Sequence, residues 1–175
     1  MAIILVLASL AGQLAPHFTG RSEPVVFLSV DGEQNLPTFF SVLLILAASL
    51  LLAVVAVFKK AQRDAYVSYW MLLAIGFLCM AIDEATSLHE KLQGPVGRLL
   101  GEDRPAIFHF AWLAPGIAFV LVTGLLFLKF LLHLPGKTRW LFLTAGGVYL
   151  GGAIVMELIG SYYAAAYGIN SRIFI

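Results

Sequence analysis

The sequence predicts an all-α protein, a polytopic bundle of about five transmembrane helices. Three observations carry that expectation. Of its 175 residues, 61% are hydrophobic and only 12% are charged, roughly half the ~25% charged fraction of a soluble domain. The apolar residues come in long uncharged runs, the signature of membrane spans rather than of a soluble core. Proline, glycine, asparagine and clusters of lysine and arginine fall between the runs, where turns belong.

The pattern marks five segments, near 1–15, 37–58, 66–90, 106–134 and 140–168, within one transmembrane domain over 1–175. A helical span needs about 20 residues at 1.5 Å each, and the last four segments meet that length. Segment one is short. It lacks the basic n-region of a signal peptide, since the first basic residue is Arg21, so it reads as a first span missing some natural N-terminal residues. Val25 to Val30 in the following loop, ahead of Asp31-Gly32, reads as an interfacial stretch. Asn35-Leu36-Pro37 opens segment two, with the proline near the first helical turn. Segment three is expected to continue past its apolar part as a polar helix to about Leu92. Pro95 and Pro105 bracket the next loop. Pro115, inside segment four, is expected to kink it. Pro135-Gly136 ends segment four.

Basic residues set the expected orientation. Lys59, Lys60 and Arg63 follow segment two, and Lys137 and Arg139 follow segment four. The longer loops on the other side dilute Arg21, Lys91, Arg98 and Arg104 with acids. The N-terminus is therefore expected in the cytoplasm, with the longer loops outside it, in a bacterial inner or intracytoplasmic membrane. The net charge of +1 gives no basic field for nucleic acid. The one cysteine, Cys79, forms no intramolecular disulfide.

Ionisable groups inside spans are costly and mostly face a bundle interior. Segments three and five enter from the same side, which sets Asp83 and Glu157 each about 26 Å along their helices. His109 begins segment four from the outer side, so all three are expected at similar depth, with Glu84, Ser87, His89 and Glu90 slightly further out. On a straight helix, Asp83, Ser87 and Glu90 share one stripe, while His89 points about 120° away.

Two readings follow. In one, Asp83, Glu84, Glu90, His109 and Glu157 form a polar outer-face cluster holding a proton or a divalent cation, the metal taking Asp83, Glu90, His109 and Glu157. In the other, Asp83 and Glu84 begin the watery end of a helix, Glu90 is solvated and His109 holds a backbone carbonyl or a lipid headgroup. Glu157 fits the second reading least, because a lone carboxylate in an apolar span usually has a partner. Haem or chlorophyll held between His89 and His109 is a lesser alternative. His133 lies at the other end of its segment, apart from these groups. Gly147, Gly151 and Gly160 lie among small residues of segment five at spacings that let helix backbones approach closely. Trp70, Trp112 and Trp140 fit interfacial anchoring.

Several stretches resemble an uncharacterised family of bacterial polytopic membrane proteins. They are Asp31-Gly32-Glu33-Gln34-Asn35-Leu36-Pro37-Thr38, the run from Asp83 to Glu90, Leu132-His133-Leu134-Pro135 with Lys137-Thr138-Arg139, and Gly151-Gly152-Ala153 with Glu157. The resemblance implies topology, groups Glu33, Asp83, Glu84, His89, Glu90 and Glu157 in one pattern, and implies a further helix after the present end. It implies no activity. Ceramidase-like membrane hydrolases share the several spans but carry a His-x-x-x-His pair, which this sequence lacks.

The leading functional expectation is a small non-catalytic membrane subunit, an accessory or scaffold in a larger complex, with a photosynthetic or respiratory assembly as one host. It sits in lipid and packs on other membrane-protein subunits. The alternative is a metal-dependent membrane enzyme acting on a lipid or headgroup at the outer face. A cation- or proton-coupled transporter is weaker, because such sites lie near the midplane and these acids lie near one end.

Overall fold

The computed structural model describes Leu7, Ala11, residues 35–101 and residues 103–167. Every regular element among them is helical, and four helices are long and apolar enough to cross a membrane: Leu36–Ala61, Val67–Thr86, Leu113–His133 and Gly136–Ala166. The protein is thus an all-α integral membrane helix bundle. Apart from Leu7 and Ala11, segment one lies outside the described residues, as does the stretch Val25 to Val30. The chain divides into two compact units, one containing residues up to Leu88 and the other His89 to Ser171.

The first unit is a helical hairpin. Helix α1 (Leu36–Ala61) is capped by Asn35, whose side chain accepts from the Thr38 N–H at 3.1 Å and the Thr38 hydroxyl at 3.0 Å. Pro37 sits in the first turn, where its missing N–H costs nothing. At the other end Lys59 and Lys60 occupy the last turn, a position favourable for cations. There the Asp64 N–H donates to the Lys59 carbonyl and the Arg63 N–H to the Lys60 carbonyl. This is the Schellman pattern, with Arg63 at φ 56° where glycine is usual. Asp64 secures the turn twice, through Lys59 Nζ at 2.8 Å and the Tyr66 N–H at 2.8 Å.

Helix α2 (Val67–Thr86) returns along α1. Their seam sets small residues beside Ile45 and Trp70. Ile45, Ser49 and Ala56 are buried on α1, and Trp70, Ala74 and Ala81 on α2. Both rows follow the same four-then-seven spacing, which keeps one stripe in contact. Ser49 Oγ donates to the Ala74 carbonyl at 2.7 Å. Outside the seam, Leu50, Leu51, Val57 and Phe58 are exposed, the arrangement expected where the solvent is lipid. Trp70 is buried within the hairpin.

The polar continuation of segment three departs from expectation. Helix α2 stops at Thr86, and Ser87 takes the left-handed conformation at φ 52°. That conformation costs a non-glycine residue about 1–2 kcal/mol and turns the chain out of the helix. The stripe Asp83, Ser87 and Glu90 therefore does not exist, because Glu90 lies beyond the break.

The second unit begins with a 3-10 turn, His89–Leu92, and a short helix α3 (Gln93–Leu100). Pro95 falls in the first turn of α3 and opens a helix where the sequence suggested a loop. Gly101, at φ 78°, ends it. A second 3-10 turn, Ala106–Phe108, leads into α4 (Leu113–His133). Pro115 occupies the first turn of α4, so it displaces no interior hydrogen bond and produces no kink. A turn at Leu134-Pro135 then starts α5 (Gly136–Leu150), which places Lys137 and Arg139 inside the first helical turn rather than in a loop. The Arg139 guanidinium reaches back to the Leu134 carbonyl at 3.2 Å. A π-helical turn, Gly151–Val155, joins α5 to α6 (Met156–Tyr167), forming one long span.

Candidate functional site

In the first unit, Asp83 and Glu84 lie half-buried in the last turn of α2. The Asp83 carbonyl accepts from the Ser87 N–H at 2.7 Å, and Thr86 Oγ1 donates to the Ile82 carbonyl at 2.6 Å. These bonds complete the last turn, and the left-handed Ser87 ends the helix. Ser87 is buried, and its Oγ has no hydrogen-bond partner among the described residues.

The second unit gathers more. The irregular segment from Ala106 to Trp112 carries His109, and two side chains that the sequence reading did not single out pin it down. Gln93, at the start of α3, uses both ends of its amide. Nε2 donates to the His109 carbonyl at 2.7 Å, and Oε1 accepts from the Ala111 N–H at 2.6 Å. A side-chain amide offers a donor and an acceptor on separate atoms, and here both are used. Ser161, fully buried on α6, does the same from the other side. Its Oγ accepts from the Phe110 N–H at 3.0 Å and donates to the Ala106 carbonyl at 3.1 Å. The irregular backbone thus finds partners that water cannot supply in lipid.

Gly160, beside Ser161, faces the same segment. A Cβ there would stand 3.6 Å from the Phe110 ring. Gly160 is accordingly a packing residue within the chain. Gly147 and Gly151 are not: a Cβ on either would meet nothing within 4 Å among the described residues. The three glycines do not form one intrachain contact, because the π turn at Gly151–Val155 adds a residue to one helical turn and shifts the phase between them.

Glu157 lies half-buried in the first turn of α6, four residues and one turn before Ser161. Burial is the main influence on its carboxylate, with His89 and Glu90 of the same unit as lesser electrostatic influences. His89 also packs on Trp112, ring centroids 4.5 Å apart. His109, the imidazole that depth alone favoured, rests against Phe110 at 5.8 Å. The straight-helix projection that aimed His89 away loses its basis once the helix ends at Thr86.

His89, Glu90 and Glu157 thus belong to one unit, with His89 and Glu90 as electrostatic neighbours of Glu157. Among the described residues, no three of His, Cys, Asp and Glu are grouped so as to hold a metal ion. Cys79 is free and exposed.

Comparison with curated proteins finds no match, and comparison with solved structures finds none. A family model described as a domain of unknown function (DUF8692) matches residues 1–174. With all but its last residue inside that match, the chain belongs to this family of unknown function.

Proposed function

We propose that the protein is a non-catalytic membrane subunit, an accessory or scaffold that packs against other membrane proteins through its last span. The observation that supports this is the character of Gly136–Ala166. Its most apolar window has 0% of its residues buried within the chain. Gly146, Gly147, Gly151 and Gly152 crowd this surface, and none would bring a Cβ within 4 Å of another described residue. Small residues let a partner helix approach to backbone contact, and that close packing drives association where lipid removes the hydrophobic effect between helices. In this reading the Gln93 and Ser161 contacts stiffen the unit that carries the docking span. We place the α1–α2 turn in the cytoplasm of a bacterial cell, from its Lys and Arg content.

The test is purification in mild detergent, with mass spectrometry of co-purifying subunits and elemental analysis of the same sample. Stable partners in fixed ratio without stoichiometric metal are expected. A lone protein carrying stoichiometric metal would overturn the scaffold and favour a metal-dependent enzyme.

A further inference from the structure

The turn between α1 and α2 carries a groove of about 610 Å³, and its walls are of two kinds. Lys60, Arg63 and Ser68 supply the polar wall, and Val67, Met71 and Leu72 the apolar one. Lys60, Arg63 and Ser68 are exposed, as are Met71 and Leu72 further along α2. The groove opens where two apolar spans end, so its polar part sits at headgroup level and its apolar part continues toward the acyl region.

We propose that this groove binds the phosphodiester headgroup of an anionic phospholipid. Charge is the first argument. Asp64 also lines the groove, but its carboxylate is held by Lys59 Nζ and the Tyr66 N–H, each at 2.8 Å. Lys59 therefore offsets the acid and leaves Lys60 and Arg63 to a ligand. A guanidinium offers two parallel N–H donors to a phosphate, and an ammonium adds a compact point charge. The Ser68 hydroxyl supplies a further donor from α2. The turn that carries Arg63 is held by two backbone hydrogen bonds and the Lys59–Asp64 pair, so the backbone from which the Arg63 side chain springs is fixed at the groove. The apolar wall is the second argument. Free phosphate has no use for Met71 and Leu72, whereas an acyl chain leaving the headgroup can lie along them. Basic pockets between spans at a membrane face recognise anionic headgroups by these same features.

The full chain, purified in detergent, is titrated with phosphatidylglycerol or phosphatidylcholine and read by native mass spectrometry. Each cation near the headgroup is worth about a fivefold change in affinity, so a preference of about thirtyfold for phosphatidylglycerol is expected from the pair. Lys60→Gln and Arg63→Gln should each weaken it about fivefold. Ser68→Phe fills the groove without changing charge and should weaken it comparably, with helix content by circular dichroism unchanged. Lys137→Gln, at the other basic turn, should leave it as it is. Glycerol 3-phosphate in excess should not displace the lipid from the parent protein. Parental binding by both Lys60→Gln and Arg63→Gln would overturn the proposal. So would an equal loss in Lys137→Gln, which would show a diffuse basic surface instead of a groove. Displacement of the lipid by glycerol 3-phosphate would overturn it in favour of a soluble phosphate ligand, a measurement that needs no variant to fold.

Discussion

Ser161→Ala tests whether the irregular segment between α3 and α4 is held by α6. The substitution removes two hydrogen bonds, 3.0 Å from the Phe110 N–H and 3.1 Å to the Ala106 carbonyl. The two losses are unequal. The Ala106 carbonyl also accepts from the His109 N–H at 3.1 Å and keeps that partner. The Phe110 N–H makes no other hydrogen bond among the described residues, so the substitution strands it. A buried donor left unsatisfied costs about 1–3 kcal/mol. Ser49→Ala is the matched control. It also removes a buried serine hydrogen bond, but the acceptor there is the Ala74 carbonyl in mid-helix, which a backbone N–H one turn on already bonds. No orphan results, and interhelical hydrogen bonds of this kind average about 0.6 kcal/mol. Unfolding in mixed micelles, followed by circular dichroism, should therefore show Ser161→Ala losing clearly more stability than Ser49→Ala. Faster exchange of the Phe110 amide should accompany it. A cost for Ser49→Ala equal to or above that of Ser161→Ala would refute the reasoning.

Gln93→Leu should destabilise by about 1–3 kcal/mol, since it strands the Ala111 N–H, and should speed amide exchange across residues 109–112; unchanged exchange there would remove Gln93 from the account. Gly160→Leu should disturb the fold of the second unit by pushing on Phe110, whereas Gly147→Leu should leave thermal unfolding unchanged and loosen partner association. The reverse pattern, read by melting and co-purification, would sink the docking assignment. Asn35→Ala should cost about 1 kcal/mol through loss of the helix cap, checked by the same unfolding measurement. With Cys79 replaced, cysteines placed at Gln62 and at Gly101 should label from opposite sides of the membrane. Labelling from the same side would refute the assigned topology.

The number and rough extent of the four described spans were legible in the sequence, because a lipid solvent demands long uncharged helices and nothing else satisfies their backbone. The opening of α1 at Asn35-Leu36-Pro37 was legible as well, being a local matter of the first turn, whereas the Asn35 cap appeared only in the structure. Helix ends without glycine were not. Arg63 and Ser87 both take left-handed conformations that sequence normally signals with Gly or Asn, so α2 was carried past Ser87 and the phase of His89 came out wrong. Proline was legible as punctuation but ambiguous in sense. Pro95 and Pro115 open helices, and only the hydrogen bonds around them distinguish an opening from a loop or a kink. The glycines of the last span advertise close approach, yet the seam that does form between α1 and α2 uses Ser49, Ala56, Ala74 and Ala81, residues common enough in any apolar run to pass unmarked. Composition thus determined the membrane and the helices. Tertiary structure alone decided that Gln93 and Ser161 hold the segment bearing His109, and that His89 packs on Trp112. Those pairings depend on where the chain leaves helical geometry, and hydropathy and helical period carry no record of that.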